Sequence, residues 1–96
     1  MKLIALEKEV PHISGAQFQP HLKAEALRAW ELYQAGIFRE IYFDKANHNA
    51  VIVMECESTD EAAAVLATLP LVREGLITFQ IIALEPYSGF ARLFIR

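Results

Sequence analysis

The sequence has little of what most functional classes require. A single cysteine, Cys56, among 96 residues excludes an internal disulfide and any multi-cysteine metal centre, and fits a reducing compartment. A small buried hydrophobe is the plain reading of that thiol. His12, His21 and His48 show neither H-x-x-x-H nor H-x-H spacing, so no metal site is expected. Basic residues never cluster, and the formal charge is -3. A phosphate backbone needs a basic run, so nucleic acid is not an expected partner. The glycines, Gly15, Gly36, Gly75 and Gly89, stand singly and form no phosphate cradle. No apolar stretch approaches the roughly 20 residues of a membrane span, and Glu7, Lys8 and Glu9 interrupt the apolar start before it can act as a signal peptide. A soluble cytoplasmic protein with no membrane association is expected.

What the chain has in excess is grease. Hydrophobic residues make up 54% and the mean hydropathy is +0.25. A chain of this length is one domain whose core buries a modest share of its surface. More apolar side chains are present than such a domain hides alone, so self-association is expected.

Punctuation divides the chain. Apolar residues recur at helical spacing from Phe18 to Tyr33, and Gly36 follows where a left-handed C-terminal cap belongs. Pro20 suits a first turn better than a helix interior, and Ser14 with Gln17 reads as a capping box, so a short turn can precede the main helix. A second helix starts at the S-x-x-E box of Ser58 and Glu61 and stops before Pro70. Strands rich in β-branched and aromatic residues occupy about 2–10, 37–44, 50–56 and 76–85. Residues 44–49, "DKANHN", join the middle two as a hairpin. The order βαββαβ predicts a ferredoxin-like α+β fold, a four-stranded antiparallel sheet with both helices on one face. The segment "LPLVREG" is then the corner returning the chain to the last strand.

Strict alternation places Ile37, Arg39, Ile41 and Phe43 on one side of the second strand, and Phe38, Glu40 and Tyr42 on the other. Val51 and Val53 oppose Ile52 and Met54; Leu76, Ile82 and Leu84 oppose Ile77, Phe79 and Ile81. A sheet apolar on both faces needs a second cover, and another copy of the same sheet is the simplest one. Residues 1–86 form the domain. The segment 87–96, with Phe90, Leu93, Phe94 and Ile95, reads as an apolar arm packing on a neighbouring subunit.

With these elements in place the chain resembles the muconolactone isomerase family of the dimeric α+β-barrel superfamily. The resemblance is carried by "LKAE" at Leu22–Glu25, "GIFR" at Gly36–Arg39, Glu55, Ser58, "LPL" at Leu69–Leu71, and Pro86. It implies two sheets facing one another across a barrel that holds the ligand, and a proton transfer that moves a double bond in a lactone. No metal or organic cofactor takes part, and the subunits associate as dimers or larger rings. Glu40, Tyr42 and the aromatic tail depart from the family pattern.

Four residues are candidates for chemistry. Glu25 lies within the apolar arc of Phe18, Leu22, Ala29 and Leu32. A carboxylate there is either raised in pKa and useful as a general base, or paired and tolerated. Arg39 must find a ligand anion or an internal carboxylate, Glu25 or Glu55. His48 in the hairpin and Tyr42 are candidate acids, beside Tyr33 and Tyr87. The leading expectation is a homo-oligomeric, cofactor-free isomerase acting on a small unsaturated anionic lactone. Alternatives are a cofactor-free monooxygenase of the same fold and a non-catalytic ligand-binding or stress-associated dimer.

Overall fold

The structure, a computed structural model, describes residues 1–95. Alternation in "KLIALEKE" makes β1, Lys2–Glu9, with Leu3 and Ala5 fully buried on one face. Three further strands complete the sheet: β2 (Phe38–Phe43), β3 (Ala50–Glu55) and β4 (Ile77–Ala83), in the order β2-β3-β1-β4 with every pair antiparallel. The ends of the strands fall within a few residues of those expected.

The first helical region is broken as its proline requires. A single turn, α1 (Gly15–Phe18), leads through a 3-10 turn over Gln19–His21 into α2 (Leu22–Gln34). Pro20 sits in the 3-10 turn, where its missing amide leaves no vacancy. Gln17 Oε1 accepts the Ser14 amide at 2.8 Å, the returning half of a capping box. Gly36, at φ +79°, ends α2 in the left-handed region. Helix α3, Thr59–Leu66, starts where Ser58 Oγ accepts the Glu61 amide at 3.0 Å, while Glu61 accepts the Glu57 amide at 3.0 Å. Pro70 then opens a separate one-turn helix, α4 (Pro70–Arg73), and Gly75 at φ +74° turns the chain into β4. The corner read in "LPLVREG" therefore contains a helical turn of its own.

One face of the sheet meets the helices. Leu3, Ala5, Phe38, Ile52 and Met54 pack there against Leu32, Ala62, Leu66 and Leu69. Phe38, Leu3, Met54 and Leu69 are essentially inaccessible, and each such side chain contributes about 1.5–3 kcal/mol through burial. Cys56 is buried in the same core, as its composition-based reading expects. Leu76, expected on the opposite face, is also buried on the helical side, because it lies in the turn before β4 begins.

A β-bulge at Arg39 corrects the expected faces of β2. Phe38 pairs with Met54 and Glu40 with Val53, so Arg39 is the extra residue. From there on the alternation is inverted relative to an unbroken strand. Phe38, Ile41 and Phe43 share the helical face with Ile52 and Ala50, whereas Glu40 and Tyr42 share the open face with Val53 and Val51. Ile4, Leu6 and Ile82 extend that open face across β1 and β4, and no helix of the described residues covers it.

Beyond β4 the arm forms a 3-10 segment, Gly89–Phe94, preceded by Tyr87 packed edge-on against Phe90 at 5.0 Å. A side chain at Gly89 would run into the Tyr87 ring. Phe90, Leu93, Phe94 and Ile95 are 67–80% exposed. The arm's last residue, Arg96, lies outside the described residues.

Candidate functional site

A cavity of about 690 Å³ lies between α2 and the helical face of the sheet. That is within the range of small-molecule sites. Its location differs from the expected barrel interior, since the open face of the sheet points the other way. Phe38, Ile41, Phe43, Ile52 and Phe79 provide the sheet side. Leu22, Glu25, Ala26 and Ala29 provide the helix side, while Leu69, Leu71 and Leu76 close one flank. Asn47, His48 and Asn49 of the hairpin also reach it. The cavity exists because α2 turns small residues, Ala26 and Ala29, toward the sheet, leaving space that larger side chains would fill.

Glu25 projects from the first turn of α2 into this apolar surrounding and is half-buried. Its Oε1 accepts the Leu71 amide at 2.9 Å. Leu71 belongs to the first turn of α4, whose amides have no partner inside the helix, so the carboxylate ties α2 to the corner. Burial pushes the Glu25 pKa above its ordinary value of 4.5; the Leu71 amide opposes the rise, and the nearby charge of Glu7 adds to it. One carboxylate oxygen is thus held, and its group is inclined to carry a proton closer to neutrality than an exposed glutamate.

Glu7 is a residue that the sequence reading missed. It follows Leu3 and Ala5 on the helical face of β1 and lines the cavity, its Oε1 accepting the Ala50 amide at 2.8 Å. The signal was its alternation with two core residues. In "EKE" it reads instead as the solvated end of a strand.

His48 lines the cavity from the hairpin. Asp44 organises that turn: its Oδ1 accepts the Asn47 amide at 2.6 Å and its carbonyl the His48 amide at 2.9 Å. His48 adopts φ 58°, an uncommon conformation for a residue other than glycine, and its ring stacks on Phe43 at 3.9 Å. Backbone and stacking together fix the imidazole at the cavity's edge.

Arg39 and Tyr42 lie elsewhere. The bulge directs Arg39 to the outer edge of β2, where its Nε donates to the Gly36 carbonyl at 2.6 Å. With Trp30, Tyr33, Glu40 and Tyr42 it borders a second, shallow groove that adjoins the cavity at Ala26, Ala29 and Ile41. Neither internal ion pair considered for it forms: Glu25 accepts from Leu71, and Glu55 pairs with the Met1 amino group at 3.2 Å. Tyr42, on the open face, donates to Glu40 Oε1 at 2.6 Å, and that bond raises the phenol pKa. Tyr33 stacks on Trp30 at 5.9 Å on the exposed side of α2, and Tyr87 belongs to the arm. The structure therefore brings Glu25 and His48 to one cavity, adds Glu7, and leaves Arg39 and Tyr42 outside it. Among the described residues, no group of three His, Cys, Asp or Glu side chains converges as a metal ion would require, and no helix is long and apolar enough to cross a membrane.

No protein-family model and no curated protein sequence matches the chain. Solved structures do. A muconolactone isomerase is similar over 93% of this chain and 93% of its own, with a TM-score of 0.75 at 16% identity. The 5-chloro-2-hydroxyhydroquinone dehydrochlorinase of Burkholderia phenoliruptrix AC1100, in complex with 2,5-dihydroxybenzoquinone, is similar over 93% of this chain and 98% of its own, with a TM-score of 0.62 at 15% identity. At such identities the likeness concerns the backbone. The α+β fold read from the sequence is thus the fold of muconolactone isomerase.

Proposed function

We propose that this protein catalyses proton transfer on a small unsaturated cyclic molecule, such as a lactone, held between α2 and the sheet. The observation that carries the reading is a half-buried Glu25 whose one oxygen is fixed by the Leu71 amide while its side chain lines an apolar cavity. A base of raised pKa in such surroundings is suited to abstracting a proton from carbon near neutral pH. The other Glu25 oxygen takes a proton from a saturated ring carbon α or γ to a carbonyl, leaving a delocalised enolate. The electron pair moves along the conjugated system, and a proton returns at the far carbon from Glu25 or from His48. The double bond shifts and nothing is oxidised or reduced, so no cofactor is called for. The likeness to a muconolactone isomerase supports this class of reaction by analogy of fold.

The proposal includes a cytoplasmic homo-oligomer. Two copies meeting through the open faces would cover Ile4, Leu6, Val51, Val53 and Ile82 and form the barrel implied by the sequence resemblance. The exposed arm would rest on the neighbour.

Glu25→Gln tests the chemistry, because the amide keeps the bond from Leu71 and loses the proton affinity. Turnover of an unsaturated lactone should fall about 10²–10⁴-fold with folding retained. In the parent protein kcat/KM should rise with pH through a pKa above the usual glutamate value, as required of a base active when ionised. Unchanged turnover in the variant would remove Glu25 from catalysis. The apolar lining favours a second reading, a binder without turnover; in that case the ligand is recovered unaltered and Glu25→Gln changes affinity only.

A further inference from the structure

The charge of the cavity bears on what it can hold. An anion entering an apolar enclosure gives up its hydration and must find a cation or several donors there. Here the carboxylates of Glu7, Glu9 and Glu25 all belong to the lining. The amides of Leu71 and Ala50, which could have served a ligand anion, already donate to Glu25 and Glu7. Among the described residues the lining contains no lysine or arginine. Arg39, expected to anchor an anion, is turned by the bulge to the Gly36 carbonyl and the outer groove. His48 is the one lining side chain able to become positive, and it is exposed on the hairpin, stacked on Phe43. Beside these carboxylates the lining carries Phe18, Phe43 and Phe79, the last paired with Glu7 across the sheet, which offer faces and edges to a flat ring.

We propose that the cavity selects an uncharged, enolisable ring and rejects its carboxylate-bearing counterpart, and that Glu7 is the residue that sets this preference. The ring lies among the phenylalanines with its acidic C–H toward Glu25. Glu7, held on the sheet by Ala50, gives an anionic substituent a like charge in place of a partner. This inference rests on the reading that the cavity between α2 and the sheet holds the ligand, and it departs from the anionic lactone expected from the sequence.

Two matched probes decide it: a butenolide bearing a methyl-ester arm and the same ring with the free carboxylate. Isothermal titration calorimetry of the full chain at pH 7.5 should show the ester binding at least about tenfold more tightly than the carboxylate. Glu7→Gln keeps the bond from Ala50 and removes the charge; it should improve carboxylate affinity about fivefold or more and leave the ester within about twofold. Equal or tighter binding of the carboxylate overturns the proposal. Failure of the ester to bind at several millimolar overturns it too. A Glu7→Gln protein with unchanged discrimination removes Glu7 as its cause. These are affinities, so they stand apart from the acid-base reading: an ester that binds selectively yet turns over equally well in Glu25→Gln would defeat that reading and leave the selectivity in place.

Discussion

At the scale of the residue, Glu25 combines two duties that pull its stability in opposite directions. Its bond to Leu71 ties α2 to α4, but burial makes its charged form unfavourable. Because the folded-state pKa lies above the unfolded one, the folded protein holds the Glu25 proton to higher pH than the unfolded chain does. The stabilisation of that protonated form is complete below the unfolded value and is lost as pH rises through the folded one. Glu25→Gln should therefore raise Tm at pH 7.5, with the difference shrinking as pH falls through the raised pKa toward the ordinary value of 4.5 and constant below it. Thermal unfolding followed by circular dichroism across pH checks this, and a lower Tm for the variant at every pH would show that the carboxylate is a net support. The apolar arc around Glu25 was legible in the sequence because helical spacing puts Leu22, Ala29 and Leu32 beside it. Its partner was not, because Leu71 contributes a backbone amide, and amides leave no mark in a pattern of side chains.

At the scale of the element, strand order, helix starts and the proline break followed from local rules. Ser58, Pro70 and Gly36 occupy the positions those rules assign. The bulge did not follow. An extra residue in one strand is defined by its partner strand, and nothing in "FREIYF" announces that Arg39 will go unpaired. This single residue moved Tyr42 to the open face, brought Phe38 beside Ile41, and kept Arg39 out of the cavity lining. Arg39→Ala should consequently leave the affinity of a cavity ligand within about twofold, in contrast to the loss expected of an anion anchor. Calorimetry with the ester-bearing butenolide measures it, and a tenfold weakening would place the guanidinium at the ligand after all.

At the scale of the molecule, the Cα radius of gyration is 15.9 Å and the long axis 61 Å, against about 12–13 Å for the radius of a compact domain of this length. The arm and the open sheet face carry much of the apolar excess that the composition announced, beside Leu27, Trp30 and Tyr33 on α2. If both are covered in an oligomer, light scattering at micromolar concentration should give at least a dimer. Deletion of residues 87–96 should then produce a smaller assembly or aggregation. An unchanged mass and Tm after deletion would show that the arm supports nothing, and a stable 10.8 kDa species from the full chain would exclude the barrel. The outward arm has a consequence for the life of the chain before assembly. A newly made subunit carries four bulky side chains that its own body gives no resting place, so the time to meet a sister sets its exposure to proteases and chaperones. Abundance would then respond more than proportionally to synthesis rate: doubling the supply of chains shortens each one's solitary interval and raises the fraction that survives it.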